Sequence, residues 1–194
     1  MKIIGIRNGN GRELPQQVYL IADSAVIKTN KPFFLPHFAQ GFKAKAAIAL
    51  HIDRLGKHIA QRFAHRYCMA IAPAIKVTAQ EIDYKQENEQ LSALANSFDG
   101  ALLLGDFIPV DSNNTINDST ISVKYNGEVK AGASLTSTGV DFKQLIEHIS
   151  KYFTLKMGDM IVVELQGCQA TKLTPGDTLR ASLNDAAQLV IRVK

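Results

Sequence analysis

The dipeptide Asn126-Gly127 sits between two alternating runs, in TISVKYNGEVKAG, and constrains the fold more than any other short stretch of the chain. Asn and Gly tolerate the positive φ angles that a two-residue hairpin loop demands, so an antiparallel strand is expected on each side. Similar punctuation recurs along the chain. Lys2 to Ile6, Val18 to Ile21, Ala46 to Ile52, Ile75 to Ala79, Met160 to Leu165, Thr178 to Leu183 and Leu189 to Val193 are short runs rich in strand formers or apolar residues. They are bounded by Gly, Pro, Asn or Asp, and the last two meet at a turn on Asn184-Asp185. Such a chain is expected to be α+β and mainly β.

Three stretches read as helices. Ile59 to Ile71 carries Ile59, Phe63, Tyr67 and Ile71 at helical spacing, with Pro73 as its stop. Asn88 to Ala95 places Leu91, Leu94 and Ala95 on one side. Asp141 and Gln144 form a capping-box start, followed by Phe142, Leu145, Ile146, Ile149 and Phe153 on one face. The expected core includes Ile48, Leu50, Ile52, Phe63, Ile75, Val77, Leu145, Ile149, Ile161 and Val163.

At 194 residues and 46% hydrophobic, with neither repeat nor linker, the chain is expected to be one domain over residues 1–194. A net charge of +4 with no Lys/Arg run gives no basis for a nucleic-acid partner. Cys68 and Cys168 lack metal-ligand or CxxC spacing and read as buried, reduced thiols. The N-terminus MKIIGIRNGNGREL lacks a signal-peptide apolar core, and no apolar run approaches the ~20 residues that span a bilayer. A soluble cytoplasmic protein without membrane contact is expected. Phosphate-loop, dinucleotide, zinc-protease and nucleophile-elbow motifs are absent, and the five histidines are too scattered for a zinc site.

Five segments in order carry a resemblance: KPFFLPHF, then KAAIALHIDRLGKHIAQRFAHRYCMAIAPAIKVTAQEI, then NSFDGALLLGDFIPV, then SVKYNGEVKAG, then FTLKMGDMIVVELQGCQATKLTPGDTL. Together they are similar to the fumarylacetoacetate hydrolase family, especially its compact single-domain bacterial members, over roughly Lys31 to Val193. The resemblance implies a rolled mixed β-sheet, like the C-terminal domain of fumarylacetoacetase, with a few short flanking helices. It also implies a homodimer, and a Mg²⁺- or Mn²⁺-dependent hydrolase, decarboxylase or isomerase of 2-oxo or 1,3-dicarbonyl acids.

Carried over position by position, the resemblance places the family's metal ligands on residues that are not acids. Counting back from Gly56 and Lys57, the two glutamates of the E-x-E motif fall on Lys45 and Ala47, and the third ligand, an aspartate, falls on Lys76 in AIKVTAQE. The arginine and aspartate that follow it become Gln80 and Glu81. In the K-S-F-D-T segment Asn96 replaces the lysine and Gly100 the threonine, while the substrate-side T-G-T-P turn aligns with Val163 to Gln166. The early G-R-N-Y segment is reduced to Arg7, Asn8 and Gly9.

An ammonium group offers a hard cation no oxygen donor. The expectation is therefore a family member without a metal cofactor, catalytically degenerate, that binds a small anion at a lysine-containing pocket. Candidate ligand-binding residues are Lys45, Lys76, Glu81, Asn96, Glu164 and Gln166, with the lysines paired to Glu164 and Glu81. The alternative is an enzyme of the same substrate class with an altered site, in which Lys76 is the candidate catalytic residue as an amine nucleophile.

Overall fold

The computed structural model describes residues 1–7, 17–82, 93–110, 115–136, 139, 141–166, 168 and 170–194. Its axis is a pair of long antiparallel strands, β5 (Ala39–Ile52) and β6 (Cys68–Ile82), in register from Ala39↔Ile82 to Ile52↔Cys68 with one shift after His51. The strands introduced before them are β1 (Ile3–Arg7), β2 (Gln17–Ile21), β3 (Val26–Lys28) and β4 (Pro32–Phe33). A short helix α1 (Ala93–Asn96) follows β6, and then β7 (Leu102–Leu104) and β8 (Ile108–Pro109). Later come α2 (Thr115–Asp118), the hairpin β9 (Thr120–Tyr125) and β10 (Glu128–Ser134), the longest helix α3 (Phe142–Tyr152), and β11 (Met160–Glu164) to β14: β12 (Thr171–Lys172), β13 (Thr178–Leu183) and β14 (Ala187–Val193).

Two sheets result. The larger runs β2-β1-β11-β5-β6-β7-β3, with β12 on β5 and β8 on β6; the smaller runs β10-β9-β13-β14-β4. The pairs β1/β11, β3/β7 and β14/β4 are parallel and the rest antiparallel, so this is the curled mixed β architecture expected from the sequence.

Both faces of the large sheet are buried, because successive side chains of a strand point to opposite sides. One face sends Phe42, Ala44, Ala46, Ile48, Leu50 and Ile52 into the main core, which the small sheet and α3 complete. The other face is narrow and alanine-rich. Ala47 and Ala49 of β5, Ala72 and Ala74 of β6, and Ile3, Leu102, Leu104, Met160 and Val162 form a second apolar cluster there.

Local signals explain the ends. Asn126 and Gly127 adopt φ of 49° and 87°, and Asn184 and Asp185 adopt 50° and 56°, as the two hairpin turns require. The Asp141 carboxylate accepts the N–H groups of Lys143 (2.8 Å) and Gln144 (3.0 Å) and starts α3, whose Phe142, Leu145, Ile146 and Ile149 are buried. Cys68 and Cys168 are both free and buried, and burial pushes the Cys68 thiol up to about 12.

Three expectations are corrected. Ile59 to Ile71 is no helix: a 3-10 turn covers Gln61–Arg66, and β6 starts at Cys68. The helical spacing is coincidental, since Ile59 and Ile71 are buried while Phe63, expected in the core, is 38% exposed and lies outside it. Pairing of Cys68, Ala70 and Ile71 with β5 decides the backbone there. Pro73 does not stop a helix either; it lies inside β6 opposite Ile48. Its carbonyl accepts from Gly105 N (2.9 Å), so the side of Pro73 that lacks an N–H faces the gap between β7 and β8. The expected helix Asn88 to Ala95 lies largely outside the described residues, and α1 shares only its last residues, with Leu94 exposed and Ala95 buried.

Candidate functional site

The alanine-rich face of the large sheet ends in charge. The cross-strand row Arg7–Glu164–Ala47–Ala74–Leu104 runs over β1, β11, β5, β6 and β7. One step on, the row is Lys45–Lys76–Leu102, because β11 has ended at Glu164. Four charged side chains therefore share one face within two rows.

Glu164 is the centre of this cluster, with a side chain 2% exposed. Arg7 Nε donates to both of its oxygens (3.0 and 3.1 Å), and Arg7 Nη2 lies 2.9 Å from Oε1. Tyr19 Oη donates to Oε1 at 2.6 Å, and Lys45 Nζ stands 3.7 Å from Oε2. Arg7 Nη2 also donates to Asn96 Oδ1 (3.0 Å), which accepts from Thr78 Oγ1 at 3.4 Å, so α1 is tied to β1 and β6 through one buried amide. Gly5 makes the arrangement possible. A Cβ there would lie 2.3 Å from the Tyr19 ring, so only glycine lets that ring cross β1 on its way to Glu164.

Lys76 is fully buried, and its Nζ donates to the Val77 carbonyl at 2.5 Å. It lies 5.9 Å from the Tyr19 ring centroid. Burial pulls the Lys76 amine down to about 7; Glu164 opposes that shift and Arg7 adds to it. Burial, reinforced by the Glu164 charge, pushes the Tyr19 phenol well above its ordinary value, so it is a donor at neutral pH. For Arg7, burial lowers the pKa, but hydrogen bonding and attraction to Glu164 outweigh it and the net shift is upward.

Of the residues singled out in the sequence, the structure brings Lys45, Lys76, Asn96 and Glu164 together. Gln166 follows β11, partly buried, and Glu81 lies in β6 with a side chain outside the described residues. The Lys45–Glu164 pair is formed, whereas the hydrogen bond of Lys76 goes to a backbone carbonyl. Two members of the cluster were not among the candidates. Arg7 was visible as a cation ending an apolar strand, while Tyr19 carried no signal, since an aromatic in a strand ordinarily reports packing. No helix of the described residues is long and apolar enough to cross a membrane.

Residues 7–194 match the family model of the fumarylacetoacetate hydrolase C-terminal domain, and the chain belongs to that family. It is 26% identical over 182 residues to the mitochondrial oxaloacetate tautomerase of Caenorhabditis elegans, covering 90% of this chain and 83% of that protein. The fold matches 5-carboxymethyl-2-hydroxymuconate delta-isomerase from Mycobacterium smegmatis with a TM-score of 0.84 at 23% identity, over 99% of this chain and 78% of that one. It also matches fumarylpyruvate hydrolase from Pseudomonas aeruginosa, in complex with Mn²⁺ and pyruvate, with a TM-score of 0.85 at 15% identity over 100% and 89%.

The last of these corrects the expectation that the protein works without a metal cofactor. A protein of this fold holds a divalent cation together with a 2-oxo acid, so replacements at three positions do not take metal use out of consideration. The residues at those positions do not themselves fit such an ion. Lys45, Ala47 and Lys76 supply no side-chain oxygen, and both oxygens of Glu164 are engaged by Arg7. Among the described residues no group of three or more His, Cys, Asp or Glu side chains is placed to hold a metal. A cation in this chain would need donors other than these.

Proposed function

We propose that the protein takes a small 2-oxo or 1,3-dicarbonyl acid at the Arg7–Lys45–Lys76–Glu164 cluster and acts on it as a tautomerase, isomerase or decarboxylase. The observation that carries this reading is the make-up of the cluster: three basic side chains, Arg7, Lys45 and Lys76, gather on one face around a single carboxylate. A second carboxylate arriving with a ligand meets donors already desolvated and aimed, which is what makes a site bind an anion rather than merely attract it. The relatives support the same substrate class, since one is named for oxaloacetate and a structural neighbour holds pyruvate.

The chemistry of an enolisable acid suits these groups. Arg7 and Lys45 neutralise the charge that grows on the oxygen as a proton leaves the neighbouring carbon, and Tyr19 is a neutral acid beside them. Lys76 is the group that titrates in the range where such a proton is exchanged. The family likeness further supports a homodimer, which sedimentation equilibrium checks. Two buried, free thiols fit a reducing compartment such as the cytoplasm.

Calorimetric titration of metal-stripped protein with oxalate, an oxo-acid mimic that cannot react, tests the site. Binding that weakens ~10- to 100-fold in Lys45→Met, the loss of one charge-assisted hydrogen bond, is the expected result. Binding that appears only after Mn²⁺ is added would move the anion to a metal and sink the lysine reading. Oxaloacetate that binds without being converted would make the protein a catalytically degenerate binder.

A further inference from the structure

The pairing of Lys45 with Lys76 is the least economical feature of the sheet. Directly opposed residues on adjacent antiparallel strands hold their Cβ atoms about 5 Å apart, and two like charges at that spacing repel. The structure deals with the two lysines differently. Lys45 keeps 26% of its side-chain surface and leans to Glu164 at 3.7 Å, so it retains a counter-charge. Lys76 is wholly enclosed, and Arg7 and Tyr19 occupy Glu164 ahead of it. Among the described residues its one hydrogen bond is donated to a neutral carbonyl, an arrangement that an uncharged amine satisfies at far lower cost than an ammonium ion. A lysine enclosed beside other cations, with no acid bonded to it among the described residues, has the setting that turns an ammonium into a nucleophile.

We propose that Lys76 condenses with the ketone of a 2-oxo acid to form an imine, while Lys45 and Arg7 hold the acid's carboxylate. This deepens the oxo-acid reading above and rests on it. The geometry assigns the parts: Lys45 and Arg7, 26% and 14% exposed, are where the cluster meets solvent, and Lys76 lies behind them on the same face. In the first step the amine nitrogen bonds to the carbonyl carbon and the carbonyl π pair moves to oxygen. That oxygen leaves as water with the two amine hydrogens, and the imine nitrogen takes a proton from solvent. If the acid carries a carboxylate one carbon beyond the ketone, the bond to that carboxylate breaks, carbon dioxide leaves, and its electron pair neutralises the iminium as an enamine. A proton then returns to carbon, and water hydrolyses the imine to the shortened oxo acid and free Lys76. The near-neutral amine is consistent with these steps.

The full chain is incubated with pyruvate and sodium cyanoborohydride, its intact mass is measured, and the modified peptide is mapped. Oxalate titration runs in parallel, because oxalate has no ketone and reports anion binding alone. One reduced adduct per chain on Lys76, lost in Lys76→Met and diminished in Lys45→Met, is the expected result. Circular dichroism and the urea midpoint show that each variant has folded. Lys76→Met removes a buried polar group rather than adding one, so it is the substitution least disposed to unfold the sheet. Oxalate binding with no adduct, or an adduct spread over surface lysines and undiminished in Lys76→Met, overturns the imine and leaves the oxo-acid reading standing. Loss of both oxalate binding and adduct in the wild-type chain overturns the two together.

Discussion

Strands β1 and β11 run side by side, and an acid meets a cation at each end of the pair: Lys2 with Asp159 at one end, Arg7 with Glu164 at the other. The two acids are equally hidden, with side chains 3% and 2% exposed, but they are held by different kinds of donor. Asp159 accepts the backbone N–H of Lys2 (2.7 Å) and of Lys156 (2.8 Å) besides the Lys2 ammonium (2.5 Å). Among the described residues the donors to Glu164 are side chains only. A backbone donor cannot turn away without unfolding its segment, so Asp159 fastens the turn before β11. Side-chain donors have other rotamers, so the donors on Glu164 can be shared with, or passed to, an incoming anion. The same acid–base pair is a fastener at one end of the sheet and a candidate site at the other.

The largest effect that would break this comparison comes from removing Glu164. Glu164→Leu leaves Arg7 and Lys45 without their counter-charge in a desolvated place and costs about 3–5 kcal/mol. The urea midpoint measures it. A loss below 1 kcal/mol would mean that the cluster relaxes into solvent and has no fixed geometry to offer a ligand.

At the other end, Asp159→Asn keeps the shape and loses the charge-assisted bonds, for about 1.5–3 kcal/mol. Burial alone would raise the Asp159 pKa, but the Lys2 ammonium and two backbone N–H groups bring it below the ordinary carboxylate value. Its contribution is therefore complete above that ordinary value and is lost as pH falls through the depressed one. Urea midpoints at pH 7 and pH 3 should converge between wild type and Asp159→Asn; a constant gap would show that the carboxylate is not what acid removes.

Gly5→Ala sharpens the contrast from within β1, because the added methyl strikes the ring of Tyr19, a donor to Glu164. We expect a cost of ~1–3 kcal/mol, with oxalate binding weakened more than the fold. If Gly5→Ala and wild type bind oxalate alike, Tyr19 has no part in aiming Glu164.

The fold was more legible than the site for a physical reason. Turn chemistry is local, so Asn126-Gly127, Asn184-Asp185 and the Asp141 cap announced themselves, and each stands where expected. The stretch from Ile59 to Ile71 misled because its helical spacing coincides with residues that a neighbouring strand claims. Phe63, exposed on the 3-10 turn, is the residue that this misreading put in the core. Lys45, Lys76 and Glu164 were found through family positions where a charge stands in a strand. Arg7 and Tyr19 joined them only through strand order: β11 between β1 and β5 is a pairing no sequence window contains.

The most discriminating effect reads a single proton. Unfolded, Lys76 titrates near pH 10.4; folded, burial lowers it to about 7. Between those values the unfolded chain holds a proton that the folded one has released, so stability rises with pH through the window, by up to ~1.4 kcal/mol per unit. Urea midpoints from pH 7 to pH 9 should climb in wild type and stay level in Lys76→Met. Lys2→Met, which removes the cation of the fastening end, should keep the climb. Equal slopes in wild type and Lys76→Met would mean that the amine stays protonated through neutral pH. The Glu164 end would then be a closed ion-pair network of the same kind as the Asp159 end, with no nucleophile in it.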